Sequence, residues 1–138
     1  MAQLELDGVV TRNVEFLRDG AALAAWLPEL AQRIGMKPVG EARIELYEHW
    51  PGSAPSAVQF IEESAIVVHT YPELSYIEIT LHSCVPIPHW PQVAREIVES
   101  LGMEVKWWVY HAGRDWRTLA KGPTIRGPWQ IRDVRAGT

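Results

Sequence analysis

The sequence has 138 residues and a mass of 15.6 kDa, room for one hydrophobic core, and its 47% hydrophobic and 22% charged content excludes a disordered, collagen-like or coiled-coil chain. No apolar run approaches the ~18 residues of a membrane span, and Met1 to Asp7 forms neither a basic nor an apolar leader region, so a cytoplasmic protein with no membrane partner is expected. The net charge of −4 is uneven, with 7 basic and 15 acidic residues over 1–111 against 6 and 2 over 112–138; glycine and proline dilute this basic C-terminal extension, which argues against nucleic acid and for packing on an acidic body, its own or a partner subunit's.

Val9 to Phe16 alternates loosely and predicts a first strand, with Arg18-Asp19-Gly20 as the turn after it. Leu23, Trp26, Leu27, Leu30, Ala31 and Ile34 recur at helical spacing and predict a helix over 21–34, stopped by Gly35 and with Pro28 as a kink or a later start. Period-two alternation predicts a strand over 43–50, and Pro51 to Pro55 reads as a loop. Strands are predicted over 57–61 and 65–70, interrupted by Glu62-Glu63-Ser64, and over 76–84 after the turn at Tyr71 to Ser75. Pro86, Pro88 and Pro91 precede a second amphipathic helix over 93–101 that ends at Gly102, and Glu104 to His111 predicts a final strand. The order β-α-β-β-β-β-α-β, with short connections, predicts one α+β domain over 1–138: a two-layer sandwich of an antiparallel sheet with two helices on one face. Among the seven tryptophans, Trp50, Trp107 and Trp108 are expected in the core or an interface.

Three reactive side chains fall near the central strands: Ser64 at the interruption, His69 five residues on, and Cys84 where the next strand ends. A lone cysteine excludes an internal disulfide and a cysteine-built metal centre. His82, His89 and His111 lack a partner at ligand spacing, so no metal is expected. Singly, a serine at a bulge is a turn residue and a histidine in an apolar strand a core residue; a Cys–His acyl-transfer pair would lack an orienting third group and would leave Ser64 unexplained.

The run Glu63-Ser64-Ala65-Ile66-Val67-Val68-His69-Thr70-Tyr71-Pro72-Glu73, with Cys84 eleven residues later, resembles the core of the prokaryotic S-adenosylmethionine decarboxylases, Glu-Ser-His-x-x-x-His-Thr-Trp/Tyr-Pro-Glu followed by Thr-Cys-Gly. The similarity is sharpest over 61–84, and chain length and element order also agree. It implies a self-processing enzyme of polyamine synthesis. Ser64 would attack the carbonyl of Glu63, turning amide into ester; His69 would take the α-proton, and elimination would leave chains of 63 and 75 residues, the second starting with a pyruvoyl group. Ser56 would hydrogen-bond the strained intermediate. The pyruvoyl ketone, derived from Ser64, would form a Schiff base with the substrate and accept the electrons left by departing carbon dioxide. Cys84 would return a proton to carbon, Glu73 would hold the ribose hydroxyls, and Trp50 would lie near the adenine and the sulfonium. The resemblance also implies a homodimer paired through its sheets.

Three positions depart from the pattern: Ala65 replaces the histidine after the cleavage serine, Val85 the glycine after the cysteine, and Ser75 the glycine before Tyr76. The processing residues are kept better than the pocket residues. That combination also suits a pyruvoyl decarboxylase of ornithine or arginine, or an unprocessed homologue that binds a ligand without decarboxylating it.

Overall fold

Ala2, Leu4, Leu6 and Val10 are buried, with Gln3, Glu5, Asp7 and Val9 half-buried between them, and this strict period of two makes β1 (Ala2–Val10). In this computed structural model, which describes residues 1–12, 14–47, 54–87, 89–113 and 124–127, the first strand therefore lies earlier than Val9 to Phe16, and a 3-10 turn occupies Val14–Arg18. Then come α1 (Gly20–Arg33), β2 (Arg43–Tyr47), β3 (Ala54–Ile61), β4 (Ser64–Tyr71), a 3-10 turn (Pro72–Leu74), β5 (Tyr76–Ser83), α2 (Trp90–Leu101), β6 (Met103–Ala112) and β7 (Thr124–Gly127). The expected order holds, extended by one strand from the basic extension. β7 pairs antiparallel with β6, so this part of the extension does pack on its own chain; the rest, beyond Gly113, lies outside the described residues.

The strands form one antiparallel sheet in the order β2-β3-β4-β5-β1-β6-β7. Helix α1 packs over β2 and β3, and α2 over β1 and β6. The core lies between, where Leu4, Leu6, Ile66, Val68, Ile77, Ile79 and Leu81 meet Leu23, Leu27, Leu30, Val93, Ala94 and Ile97. Each such aliphatic side chain contributes about 1.5–3 kcal/mol by leaving water. Asp19 caps α1 by accepting from the Ala22 N–H at 3.0 Å, and the helix runs through Pro28 rather than starting there. Gly102 ends α2 with a φ of 57°. Trp108 is buried in the core, and Trp90 lies between its ring and that of Tyr110, stacked on Tyr110 at 4.6 Å. Trp107 is 41% exposed on the sheet face that no helix covers. Among the described residues no helix is long and apolar enough to cross a membrane.

A register shift between Asp7 and Gly8 leaves Lys106 opposite no residue of β1. There the two backbones approach so closely that a Cβ on Gly8 would collide with the Glu104 carbonyl. Gly8→Ala is therefore expected to lower stability by about 2–3 kcal/mol, seen as a fall in thermal midpoint of roughly 8 °C. An unchanged midpoint would show that the strand pair gives way freely.

Candidate active site

Side chains of β4 alternate between the two sheet faces: Ile66, Val68 and Thr70 point to the helices, while Ala65, Val67, His69 and Tyr71 lie on the uncovered face. On that face Ser56 of β3 is the cross-strand partner of His69, and Ser56 Oγ and His69 Nδ1 share a hydrogen bond of 3.0 Å. The bond engages Nδ1 and orients the imidazole ring. The buried Thr70 hydroxyl donates to the Pro55 carbonyl at 2.5 Å and fixes the two strands here. Glu73, in the 3-10 turn after β4, joins Tyr47, Tyr71, Ser56 and His69 around a cleft of about 100 Å³. Ser75 ends that turn with a φ of 52°, the left-handed conformation that a glycine adopts without cost, so the serine keeps the turn at the expense of about 1–2 kcal/mol.

The opposite end of β4 carries Ser64. It opens the strand directly after the two-residue turn Glu62-Glu63, in register with Ile61 on one side and Ser83 on the other. Ser64, Ser83 and Cys84 line a cleft of about 260 Å³ with Gln3 and His82, and Cys84 is exposed there. A larger cavity of about 490 Å³, bordered by Met36, Lys37, Ile61, Glu63 and Val85, runs under the turn on the helix side. Ala65 has His82 as its direct partner on β5, so an imidazole is offered beside this position from the neighbouring strand.

The structure thus sorts the predicted site residues into two groups, Ser64 with Cys84 and Ser56 with His69 and Glu73. Five strand positions separate Ser64 from His69, roughly 16 Å along β4, and an odd separation puts them on opposite faces. Within one chain the histidine does not reach the serine. Trp50 lies outside the described residues. Tyr47 and Tyr71 are cleft residues that sequence reasoning missed, although Tyr47 continues the Arg43-Glu45 face of β2 and Tyr71 is inside the quoted motif.

In the row of Ser56 and His69 the uncovered face carries Glu78, opposite both His69 and Asp7, and then Asp7 itself, with Glu5 two residues away on β1. Burial, then the charges of Glu5 and Glu78, raise the Asp7 carboxyl from 3.8 to about 7, and its Oδ1 is buried without a partner. The hydroxyls of Tyr71 and Tyr76 are pushed up by burial and by the same carboxylates. Only the spacing along β1 and β5 hinted at this cluster, since alternation placed acidic residues on one face of each. No group of three or more potential metal ligands occurs among the described residues.

Glu63 has a φ of 74°, which costs a side-chain-bearing residue about 1–2 kcal/mol, so the Glu63–Ser64 peptide sits in a strained turn at the sheet's end.

A family profile described as S-adenosylmethionine decarboxylase matches residues 4–110, both residue groups included. The chain belongs to the S-adenosylmethionine decarboxylase family. The activity of that family is decarboxylation of S-adenosylmethionine, and the chain is a decarboxylase of this kind; the family in general uses a pyruvoyl group. In fold, it is similar to the crystal structure of the adenosylmethionine decarboxylase from Aquifex aeolicus VF5, with a TM-score of 0.63 and 12% identity over 80% of this chain and 87% of that one. No curated protein sequence is significantly similar to it.

The Asp7 shift fixes a pH dependence. Its pKa is higher folded than unfolded, so between about pH 4 and pH 7 the folded decarboxylase binds more protons, and the group's contribution to stability declines as pH rises through that window. Asp7→Asn is expected to raise the thermal midpoint at pH 8 by roughly 3–6 °C and to flatten its dependence on pH, measured by thermal melts from pH 5 to pH 8. Parallel curves for the two proteins would contradict the shift.

Proposed function

We propose that the chain cleaves itself between Glu63 and Ser64, carries a pyruvoyl group made from Ser64, and decarboxylates S-adenosylmethionine for polyamine synthesis as a homodimer. The observation that carries this reading is the strained Glu63 turn in front of Ser64, with Cys84 in the same cleft. Attack of Ser64 Oγ on the Glu63 carbonyl carbon forms an ester as the amide C–N bond breaks, and the hydroxyl proton passes to the freed nitrogen. Removal of the Ser64 α-proton then expels the Glu63 carboxylate, and hydrolysis of the dehydroalanine with loss of ammonia completes the group. A pyruvoyl ketone supplies the electron sink that no ordinary side chain provides.

The separation of Ser64 from His69 supports the dimer. The cleft of Ser64 and Cys84 wraps the end of the sheet and includes Gln3 and His82 of the uncovered face, so two copies paired antiparallel through these faces would set this end of one against the Ser56, His69 and Glu73 end of the other. In that arrangement His69 Nε2 of the second copy takes the α-proton while Ser56 holds its ring by Nδ1. Glu73 and Tyr47 bind the nucleoside portion, and Cys84 Sγ returns a proton to the substrate carbon.

A denaturing gel of purified protein should show two pieces in place of a 15.6 kDa band, with Ser64→Ala leaving the chain intact. An uncut native chain would overturn the cleavage. Neither Ser64→Ala nor His69→Ala protein should process alone, whereas co-expressing them should restore cutting of the His69→Ala chain, because its partner keeps the imidazole. No cutting in the mixed dimer would refute the shared site. Labelled carbon dioxide should be released from carboxyl-labelled S-adenosylmethionine and not from ornithine or arginine; release from arginine alone would overturn the substrate.

A further inference from the structure

On the outer edge of β3 the ladder with β2 stops at the pair Arg43 and Val58 and resumes at the isolated bridge of Pro38 with Ile61. Four residues, 39–42, thus stand against two, 59–60, and the longer side makes its detour through Gly40 at a φ of 70°. Gln59 fills the gap. It points to the helix layer between Ala57 and Ile61, where the pattern calls for an apolar residue, and it is fully buried. Its Nε2 donates to the Phe60 carbonyl at 2.8 Å and the Gly40 carbonyl at 3.1 Å, with the Val39 carbonyl at 3.5 Å. Its Oε1 is buried without a partner. An unmatched buried oxygen lowers stability, so the residue is poorly explained as a device for stability alone.

What Gln59 secures is the strap 37–40, which lies along the last residues before the strained turn. The Val39 N–H donates to the Phe60 carbonyl at 2.8 Å and the Glu62 N–H to the Lys37 carbonyl at 2.8 Å. On the Ser64 side the turn is held by the pairing of β4 with β3 and β5, and below it lies the 490 Å³ cavity rather than packed side chains. Phe60 and Ile61 are also paired with β4, so the strap is a second, outer hold on this stretch, and its bond from the Glu62 N–H to the Lys37 carbonyl is the one that reaches into the turn beside Glu63.

We infer that Gln59, through the strap 37–40, is a positioning residue for self-cleavage that holds the Glu63–Ser64 peptide in its left-handed, reactive turn. This rests on the cleavage proposed above. The step it favours is the shift of the Glu63 acyl group from nitrogen to Ser64 Oγ, an isomerisation in which the C–N bond breaks, the C–O bond forms and the hydroxyl proton moves to nitrogen, with no co-reactant.

The test follows cutting of freshly synthesised full-length chains over time, with hydroxylamine added in parallel to trap the ester at Glu63. Gln59→Met keeps the shape and removes the amide. Val39→Pro, at an exposed position, removes one strap hydrogen bond without touching the core. Both variants, checked as folded by circular dichroism well below their midpoints, are expected to cut about tenfold more slowly and to give a correspondingly smaller hydroxylamine-sensitive fraction. A residue that only stabilised the fold would shift the midpoint and leave the trapped fraction unchanged. If the native chain cuts and both variants match it in rate and trapped fraction, the positioning role is wrong; a native chain that never cuts overturns the cleavage reading and this role together. Should Gln59→Met not fold, Val39→Pro decides alone.

Discussion

Strand β1 is hydrogen-bonded along both edges, to β5 on one side and β6 on the other, and whether the molecule would hold together after the proposed cut at Ser64 depends on that placement. Residues 1–63 contribute β1, α1, β2 and β3, and residues 64–138 contribute β4, β5, α2, β6 and β7. In the sheet order, the first segment supplies the edge pair β2-β3 and then β1, inserted between two strands of the second. The two segments are interleaved through the core, since Leu4 and Leu6 lie among Ile77, Ile79 and Leu81. Breaking one peptide at a hairpin tip removes no ladder and exposes no core residue, so the tip is free to serve chemistry.

The same alternation that builds the core divides the chemistry. A strand gives successive side chains to opposite faces, so β4 must present Ser64 and His69 on different sides and at different ends. In the proposed dimer a two-fold axis would repeat each end opposite the other, and the Ser64 cleft, which includes Gln3 and His82 of the uncovered face, would meet the partner's His69 there. The uncovered face has the character such pairing needs: Val58, Val67, Val109 and Trp107 give it apolar surface. Glu5, Asp7 and Glu78 form a cluster on it whose charge is lowered by the proton that Asp7 keeps near neutrality.

Much of the fold was legible because its signals are periodic and local: both helices, their glycine stops and four central strands read directly from spacing. β1 was not, since a loosely alternating run from Val9 obscured the strict alternation of Ala2, Leu4, Leu6 and Val10 before it. β7 carries only four residues and is defined by its partner β6, which no local pattern reveals. The site residues were legible by resemblance, but their division between two sheet ends was not, because it depends on the register Ser56 with His69 and Ile61 with Ser64. Gln59 gave no signal at all. A glutamine in an apolar strand reads as a solvated position until the break in the neighbouring ladder is seen.

Among the described residues two without the freedom of glycine have a positive φ, Glu63 and Ser75, and they sit at the two ends of β4 and of its turn into β5. Ser75 is explained by shape: it closes the 3-10 turn that carries Glu73, and a glycine could replace it with a gain in stability. Glu63 differs, since it closes a two-residue hairpin whose positive φ a glycine or asparagine takes more readily than a glutamate, and a cavity lies beneath it. The surrounding bonds hold the strain in place: the pairing of Ser64 on one flank, the strap and Gln59 on the other. Strain kept at one peptide by an over-determined neighbourhood lowers the barrier to rearranging that peptide and no other. The position of the proposed cut would thus follow from the sheet as much as from the serine.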